Sequence, residues 1–325
     1  ILIFTDYFLP HWTGISKSID YLVRGIGDHY EITVLTVRFD KSLKKKERYG
    51  KALVLREDVT FSLSRSKYSI GTILKFLRIV REFDLVLINS PSSNILPISI
   101  ITKIFGKRLI IFHQGDLILP KGILNRIIEV IFDISSYIAF LTADKVSTYT
   151  KDYGINSRII KPFLSKFEPM LLPIYINKTD GKLKLIQNLR KKKVYVFGFA
   201  GRFVEEKGFD TLFKAVSQVI KVRQDVKFVF AGETNIVYED FFQKNKKKLE
   251  ELKDYVIMLG LLDARNLSKF YNSLDFVIIP SKSDCFNLVQ AEAMLRGIPS
   301  IVSDIPGARF LVDETGFGLK FKRES

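Results

Sequence analysis

The stretch LDFVIIPSKSDCFNLVQAEAMLRGIPSIVSDIPG, residues 274–307, sets two short β-branched runs on either side of an amphipathic one. LDFVIIPS and PSIVSD read as strands, and the run from Leu288 reads as a helix that Gly297 and Pro299 end. Strand, helix and strand in that order are one unit of a parallel sheet covered by helices. Asn287 is placed to cap the helix, with Gln290 at the third position as in a capping box. The first backbone N–H groups, from Phe286 to Val289, then point out of the strand end with positive partial charge, which suits a phosphate. Glu292 lies about a turn and a half further in, too deep for useful macrodipole stabilisation. A carboxylate there suits the two hydroxyls of a vicinal diol such as a ribose. A capped surface helix with incidental acids accounts for the same residues.

Working outward, the alternation continues in both directions. ILIFT, YEITVLTV, DLVLINS, KRLIIFH and KVSTYT read as strands of the first half, and VYVFGFAG, VKFVFAGE, YVIMLGLL and FGLKF join the two above in the second. SKSIDYLVRGIGDH, GTILKFLRIVREF, residues 123–141, DTLFKAVSQVIKV and NLSKFYNSL read as helices between them. Two consecutive sets of strand–helix units imply two Rossmann-like parallel-sheet domains facing a cleft. Residues 1–165 form the first, 194–325 the second. Residues 166–193, with Pro169, Pro173, the turn-like NKTDG and a basic run, form the linker.

The 325 residues suffice for two domains of ordinary size. Lys plus Arg number 51 against 35 Asp plus Glu, a net charge of +16 that attracts anions such as nucleotides or an acidic bilayer. The single cysteine, Cys285, excludes an intramolecular disulfide and fits a reducing, cytoplasmic compartment. With three histidines, it also makes a structural zinc site unexpected, and no acid cluster of metal-binding spacing is evident. The most apolar stretch, GILNRIIEVIFDISSYIAFLTADK, is interrupted by Arg126, Glu129 and Asp133, so it reads as a buried or interfacial helix, not a membrane span. The chain opens inside a strand without an initiator Met, and nothing at that end reads as a signal peptide.

A second constellation, GRFVEEKGFD at 201–210, follows the strand VYVFGFA. Gly201 permits a sharp turn, and Gly208 relieves crowding before the next helix. Arg202 and Lys207 bracket the loop, and two cations at a strand's carboxyl end suit a diphosphate. Glu205 and Glu206 could instead neutralise them in a surface network.

Together these stretches resemble the GT-B glycosyltransferases, specifically the large retaining family 4, also described as glycosyl transferases group 1. GR, four residues, then KG is similar to that family's diphosphate loop. Asp284 and Glu292, separated by seven residues, resemble its pair of acids, although the family usually has Glu at the first position. The resemblance also covers YVIMLGLLDARNLSKFYNSLDFVIIPS, RGIPSIVSDIPG and DETGFGL, and it is closest from Val194 to Leu319.

The resemblance implies roles. Arg202, Lys207 and the amides of Asn287, Leu288 and Val289 would hold a donor diphosphate, with Gly14 of PHWTGISKSI approaching it. Thr13 stands where the family often has another glycine. Glu292 would hold the ribose, and Gly260 and Leu261 would border the base. Asp284, Cys285, Phe286 and Asn287 would face the transferred sugar, and His113 of IIFHQGD would act as the active-site histidine. A satisfied core histidine is the alternative for His113. The family's final crossover helices have no counterpart after Ser325.

The implied activity is metal-independent, retaining transfer of a hexosyl unit from a UDP- or GDP-type nucleotide sugar, the donor substrate, with no cofactor. The implied acceptor is a glycan or lipid-linked glycan of cell-envelope polysaccharide synthesis. An inverting reaction would need a base, for which Asp116 and His113 are available. RSKYSIGTILKFLRIVR, residues 65–81, could rest on an anionic membrane at its inner face. A non-catalytic sugar- or nucleotide-binding relative is the main alternative. A dinucleotide enzyme would need Gly-x-Gly-x-x-Gly after the first strand, where TDYFLPHWTG stands. Dispersed basic residues without a reading module argue against nucleic acid.

Overall fold

In the computed structural model the chain divides into two units, Ile1–Pro173 and Ile174–Ser325. Residues 1–63, 66–119, 122–176, 179, 181–236 and 239–322 are described. Arg65 of the expected membrane-facing stretch, most of the turn-like 177–181 and the last three residues lie outside them.

The first unit runs β1 (Leu2–Phe4), α1 (Gly14–Ile26), β2 (Ile32–Arg38), β3 (Lys46–Tyr49), β4 (Ala52–Asp58), β5 (Phe61–Leu63), β6 (Ser66–Tyr68) and α2 (Ile70–Ile79). It continues with β7 (Leu85–Ser90), α3 (Ile95–Ile104), β8 (Arg108–His113), α4 (Ile123–Thr142), β9 (Lys145–Ser147) and α5 (Lys151–Asn156). Its sheet has the order β3-β4-β2-β1-β7-β8-β9. All pairs are parallel except β3 on β4. The central strands are buried on both faces, in keeping with their Val-, Ile- and Leu-rich sequences. Phe76 and Val80 behind α2, Ile95 and Ile98 of α3, and Ala139 and Phe140 of α4 close one core with Leu2, Phe4, Ile88 and Ile111 of the strands.

The second unit runs α6 (Lys184–Lys191), β10 (Tyr195–Ala200), α7 (Phe209–Val222), β11 (Val226–Ala231), α8 (Phe241–Glu251), β12 (Val256–Gly260) and α9 (Ala264–Tyr271). Then follow β13 (Phe276–Ile279), α10 (Leu288–Met294), β14 (Ser300–Ser303), α11 (Phe310–Thr315) and β15 (Gly318–Phe321). Its sheet, β12-β11-β10-β13-β14-β15, is parallel throughout. The stretch read as a linker therefore contains a helix: Ile186 of α6 is fully buried in the second unit's core, so the basic run 190–193 ends an element.

Each sheet is built outward from its first strand and then returns to that strand's other side. The strand order thus reverses between β1 and β7 in one unit and between β10 and β13 in the other. At such a reversal the two connecting loops leave in opposite directions and open a crevice at the strands' carboxyl ends. In the second unit those loops are 201–208 and 280–287, the two constellations singled out in the sequence. In the first, Asp6 beyond β1 accepts hydrogen bonds from the Ser92 hydroxyl at 2.8 Å, the Ser93 N–H at 2.8 Å and the Ser93 hydroxyl at 2.9 Å.

Candidate functional site

Lys207 and Asp284, 77 residues apart, meet across the reversal in the second unit, Nζ to Oδ1 at 3.0 Å. Burial works against the Lys207 ammonium, but the charges of Asp284 and Glu206 outweigh it and hold its pKa above the ordinary lysine value. The other oxygen of Asp284 accepts from Asn287 Nδ2 at 2.9 Å, and Asn287 Oδ1 accepts the Gln290 N–H at 2.9 Å. Asn287 therefore caps α10 as expected. Gln290 does not complete a capping box: its amide donates to Ser300 Oγ at 3.1 Å on β14.

α10 itself is only seven residues, ending at Met294, a turn before Gly297. Gly297 instead adopts φ +75° in the turn that follows. The short helix leaves little macrodipole at its start. Leu288 is buried and Val289 partly so, with their N–H groups in the first turn, where no intrahelical acceptor exists. Glu292 is 4% exposed, and its Oε2 accepts from the Tyr271 hydroxyl on α9 at 3.2 Å. Arg296 closes that layer, donating to the Glu292 carbonyl at 2.9 Å and lying over the Tyr271 ring.

Arg202 is part-exposed, 3.7 Å from Glu206, so one of the two loop glutamates does neutralise a cation here. Glu205 turns instead toward Lys282. Gly201 has φ +152° and Gly208 φ +73°, and a Cβ on Gly208 would lie 1.8 Å from the Pro280 carbonyl oxygen. The glycine lets the first loop press directly on the second. Gly260 has φ +68° with open space around it, and Leu261 beside it is exposed.

Cys285 sits in the same loop. Burial, then the charge of Asp284, pushes its thiol up to about 12. Its thiolate is correspondingly scarce, and labelling by iodoacetamide at pH 8 should run at least ~100-fold slower than for an unperturbed thiol. A mass-spectrometric time course checks this. The cysteine packs; it is not poised to react.

In the first unit Thr13 caps α1: its hydroxyl accepts the Ser16 N–H at 3.2 Å while its own N–H donates to Ser16 Oγ at 2.9 Å. A second glycine there would forfeit the reciprocal cap, which accounts for threonine. Gly14 opens the helix, and a Cβ added to it would meet nothing within 4 Å, so no neighbour in the structure demands a glycine.

His113 ends β8, 1% exposed, with Nδ1 3.0 Å from Ser90 Oγ and Nε2 3.0 Å from Asp116 Oδ1. Both ring nitrogens are thus engaged, the arrangement of a satisfied buried histidine. Asp116 also accepts from the Ser157 hydroxyl at 2.6 Å and the Arg158 N–H at 2.9 Å. Burial pushes its carboxyl up, but His113, Ser157 and Arg158 outweigh this and hold it below the ordinary carboxylate value. So depressed, it stabilises the fold above the carboxyl's unfolded value near 4, and the contribution is lost as pH falls through the lower folded value. Asp116→Asn should cost about 1–3 kcal/mol at neutral pH. The deficit should shrink in acid, as read from urea unfolding at several pH values. With three donors already on it, Asp116 is a poor candidate for a general base.

Comparison with known proteins agrees with the sequence motifs. Residues 182–325 match the family described as glycosyl transferases group 1. The second unit is a group 1 glycosyltransferase domain. An uncharacterized glycosyltransferase of Methanocaldococcus jannaschii is 33% identical over 121 residues, 37% of this chain and 30% of that protein. The lipopolysaccharide core biosynthesis mannosyltransferase LpsB of Rhizobium meliloti is 27% identical over 146 residues, 43% of this chain and 40% of its own. The chain thus aligns with less than half the length of these curated relatives.

Among solved structures, sucrose-phosphate synthase of Thermosynechococcus elongatus superposes with a TM-score of 0.76 at 15% identity. Anabaena HepE, in complex with UDP and glucose, superposes with 0.72 at 18%. Each covers the whole of this chain and 86% of the other. At that identity they establish the fold, which is GT-B as the motifs implied.

Three residues of the group 1 domain escaped the sequence reading. Lys282 ties the two loops together: its N–H donates to the Glu206 carbonyl at 2.7 Å, and its Nζ pairs with Asp210 at 2.9 Å. Gly232 lies so close to the Gly201 carbonyl that a Cβ would come within 1.9 Å of the oxygen. Gly307, with φ +85°, backs the acidic loop, where a Cβ would fall 2.3 Å from the Asp284 carbonyl oxygen. The repeated lysines and glycines of the sequence gave no signal that singled these out. No group of three or more His, Cys, Asp or Glu among the described residues is placed to hold a metal ion.

Proposed function

We propose that this protein is a retaining glycosyltransferase that moves a hexosyl unit from a nucleoside-diphosphate sugar to an acceptor hydroxyl. The observation that carries the reading is the meeting of Lys207 and Asp284 at the reversal between β10 and β13. There a cation and an acid from two separate motifs share one small volume, beside the part-exposed Arg202. Lys207 and Arg202 take the donor diphosphate, assisted by the first-turn amides of Asn287, Leu288 and Val289. Glu292 takes the ribose hydroxyls, and Gly260 and Leu261 border the base. Asp284, with Cys285, Phe286 and Asn287, faces the sugar.

In the reaction the bond between the anomeric carbon and the diphosphate oxygen breaks as negative charge grows on that oxygen. The two cations stabilise this charge more than they stabilise the bound donor, which lowers the barrier. The acceptor oxygen attacks on the face being vacated, and its proton passes to the departing phosphate oxygen. Product and nucleoside diphosphate account for every atom. The cations do the work that a divalent ion does elsewhere, so chelators should leave turnover unchanged. The acceptor is a glycan or lipid-linked glycan of envelope polysaccharide synthesis, met on the cytoplasmic side where nucleotide sugars are held. The relation to LpsB supports that acceptor class.

A panel of UDP- and GDP-sugars, followed by release of the free diphosphate and by proton NMR of the product's anomeric configuration, tests the proposal. Turnover with retained configuration supports it. Tight donor binding without turnover on any acceptor would identify a non-catalytic binder. Absence of donor binding would end the reading altogether.

A further inference from the structure

The outer face of α4 is unlike the surface of an ordinary helix of a parallel-sheet domain. Its inner side, Ile128, Phe132, Ser136, Ala139 and Phe140, is buried as amphipathic spacing requires. The opposite side should then be polar. Instead Ile123 is 85% exposed and Leu124 67%, and Ile127, Val130, Ile131, Ile134, Tyr137, Ile138 and Leu141 follow along the same stripe. Arg126 is the one charged residue among the exposed positions of this helix. Neighbouring helices extend the face: α3 packs on α4 and exposes Ile100 and Ile104, and α2 packs on α3 and exposes Ile70, Leu74 and Leu77. An apolar surface of this extent marks an interaction site.

The charges on the three helices discriminate among occupants. The exposed charged residues of these helices are Arg78, Lys103 and Arg126, all basic, and Lys103 pairs with Asp144 just beyond α4. The two acids of α4 are turned inward: Glu129 is buried and pairs with Arg126, and Asp133 pairs with Arg158. A second copy docking by the same face would offer these cations no exposed acid from its own α2, α3 or α4. An anionic bilayer complements both features, since acyl chains accept the Ile and Leu stripe and headgroups accept the rim of Arg and Lys. No helix among the described residues is long and apolar enough to cross a membrane, so α4 would lie in the plane.

We infer that the outer face of α2, α3 and α4, centred on α4, is a docking surface for an anionic phospholipid bilayer. The stretch 65–81 expected from the sequence supplies only the edge of that face. The inference does not depend on the proposed chemistry, because binding to vesicles needs neither donor nor acceptor.

The test is co-sedimentation of the full chain with vesicles of phosphatidylcholine alone or mixed with phosphatidylglycerol. Wild type should bind the mixed vesicles more tightly, and added salt should weaken binding without abolishing it. Ile127→Glu and Ile134→Glu should each weaken binding about tenfold or more, with the thermal transition unchanged because both sites are solvent-facing. Val222→Glu alters a residue 80% exposed on α7 in the other unit and should leave binding intact. Equal binding by the α4 variants and wild type would overturn the inference. So would an absence of wild-type binding, or a lipid-free dimer that the same α4 substitutions dissociate.

Discussion

Lys207→Ala should reduce donor turnover by about 10²–10³-fold and also lower the stability of the second unit. The two losses have different origins. In the proposed reaction Lys207 neutralises charge that appears on the leaving diphosphate, so its removal should fall mainly on kcat. In the unliganded protein it offsets the Asp284 carboxylate, which is 12% exposed and has Asn287 as its other side-chain partner. Removing one member of a buried pair leaves the other uncompensated, at a cost of about 3 kcal/mol. The upward shift of the lysine means that its contribution is present through neutral pH and is lost as pH rises past the folded value, above 10.5. Asp284→Asn combined with Lys207→Ala separates the effects. The double variant should regain much of the stability in a urea titration but none of the turnover. Recovery of turnover would show that Lys207 serves structure alone.

Gly208→Ala should be more damaging to the fold than any surface substitution in the chain. Alanine at φ +73° costs about 1–2 kcal/mol from the backbone alone. A Cβ 1.8 Å from the Pro280 carbonyl oxygen adds a collision with backbone, which cannot rotate away. The combined loss should reach about 3 kcal/mol or more. Gly208→Asn discriminates between the two terms. Asparagine tolerates the left-handed conformation but still carries a Cβ, so it should remain far less stable than glycine. If Asn restores the wild-type urea midpoint, the close approach of the loops is not what requires glycine.

The strand and helix rhythm was legible because each buried strand is a short β-branched run and each covering helix keeps its period. Where those signals weaken, the reading missed elements. β4 is a short apolar run, Ala52 to Leu55, that passes straight into Arg56, Glu57 and Asp58, and β3 is a charged edge strand, so neither stood out from a loop. α3 is apolar around most of its circumference and carries Pro97 in its first turn, where proline is tolerated but resembles a breaker. The two loops of the second unit were legible for a different reason: Gly201, Gly208 and Asn287 each have a local conformational role that spacing reveals. Roles that depend on register or tertiary approach were hidden. Ser90 faces His113 only because β7 and β8 pair in that register, and Asp116 reaches Ser157 only once α5 has folded back. For α4 the sequence left buried and interfacial readings open, because isoleucine looks the same in sequence whether it meets a core or solvent.

A methyl on Gly307 would meet backbone atoms of Asp284 and Cys285, so its absence is what allows the chain at Asp284 to lie where it does. A saturation library scored for turnover would therefore place position 307 among the intolerant sites. Ranked by distance from the reacting atoms, it would look like long-range communication. The simpler account is contact: one extra carbon displaces a neighbouring peptide unit, and the acid that rides on that peptide goes with it.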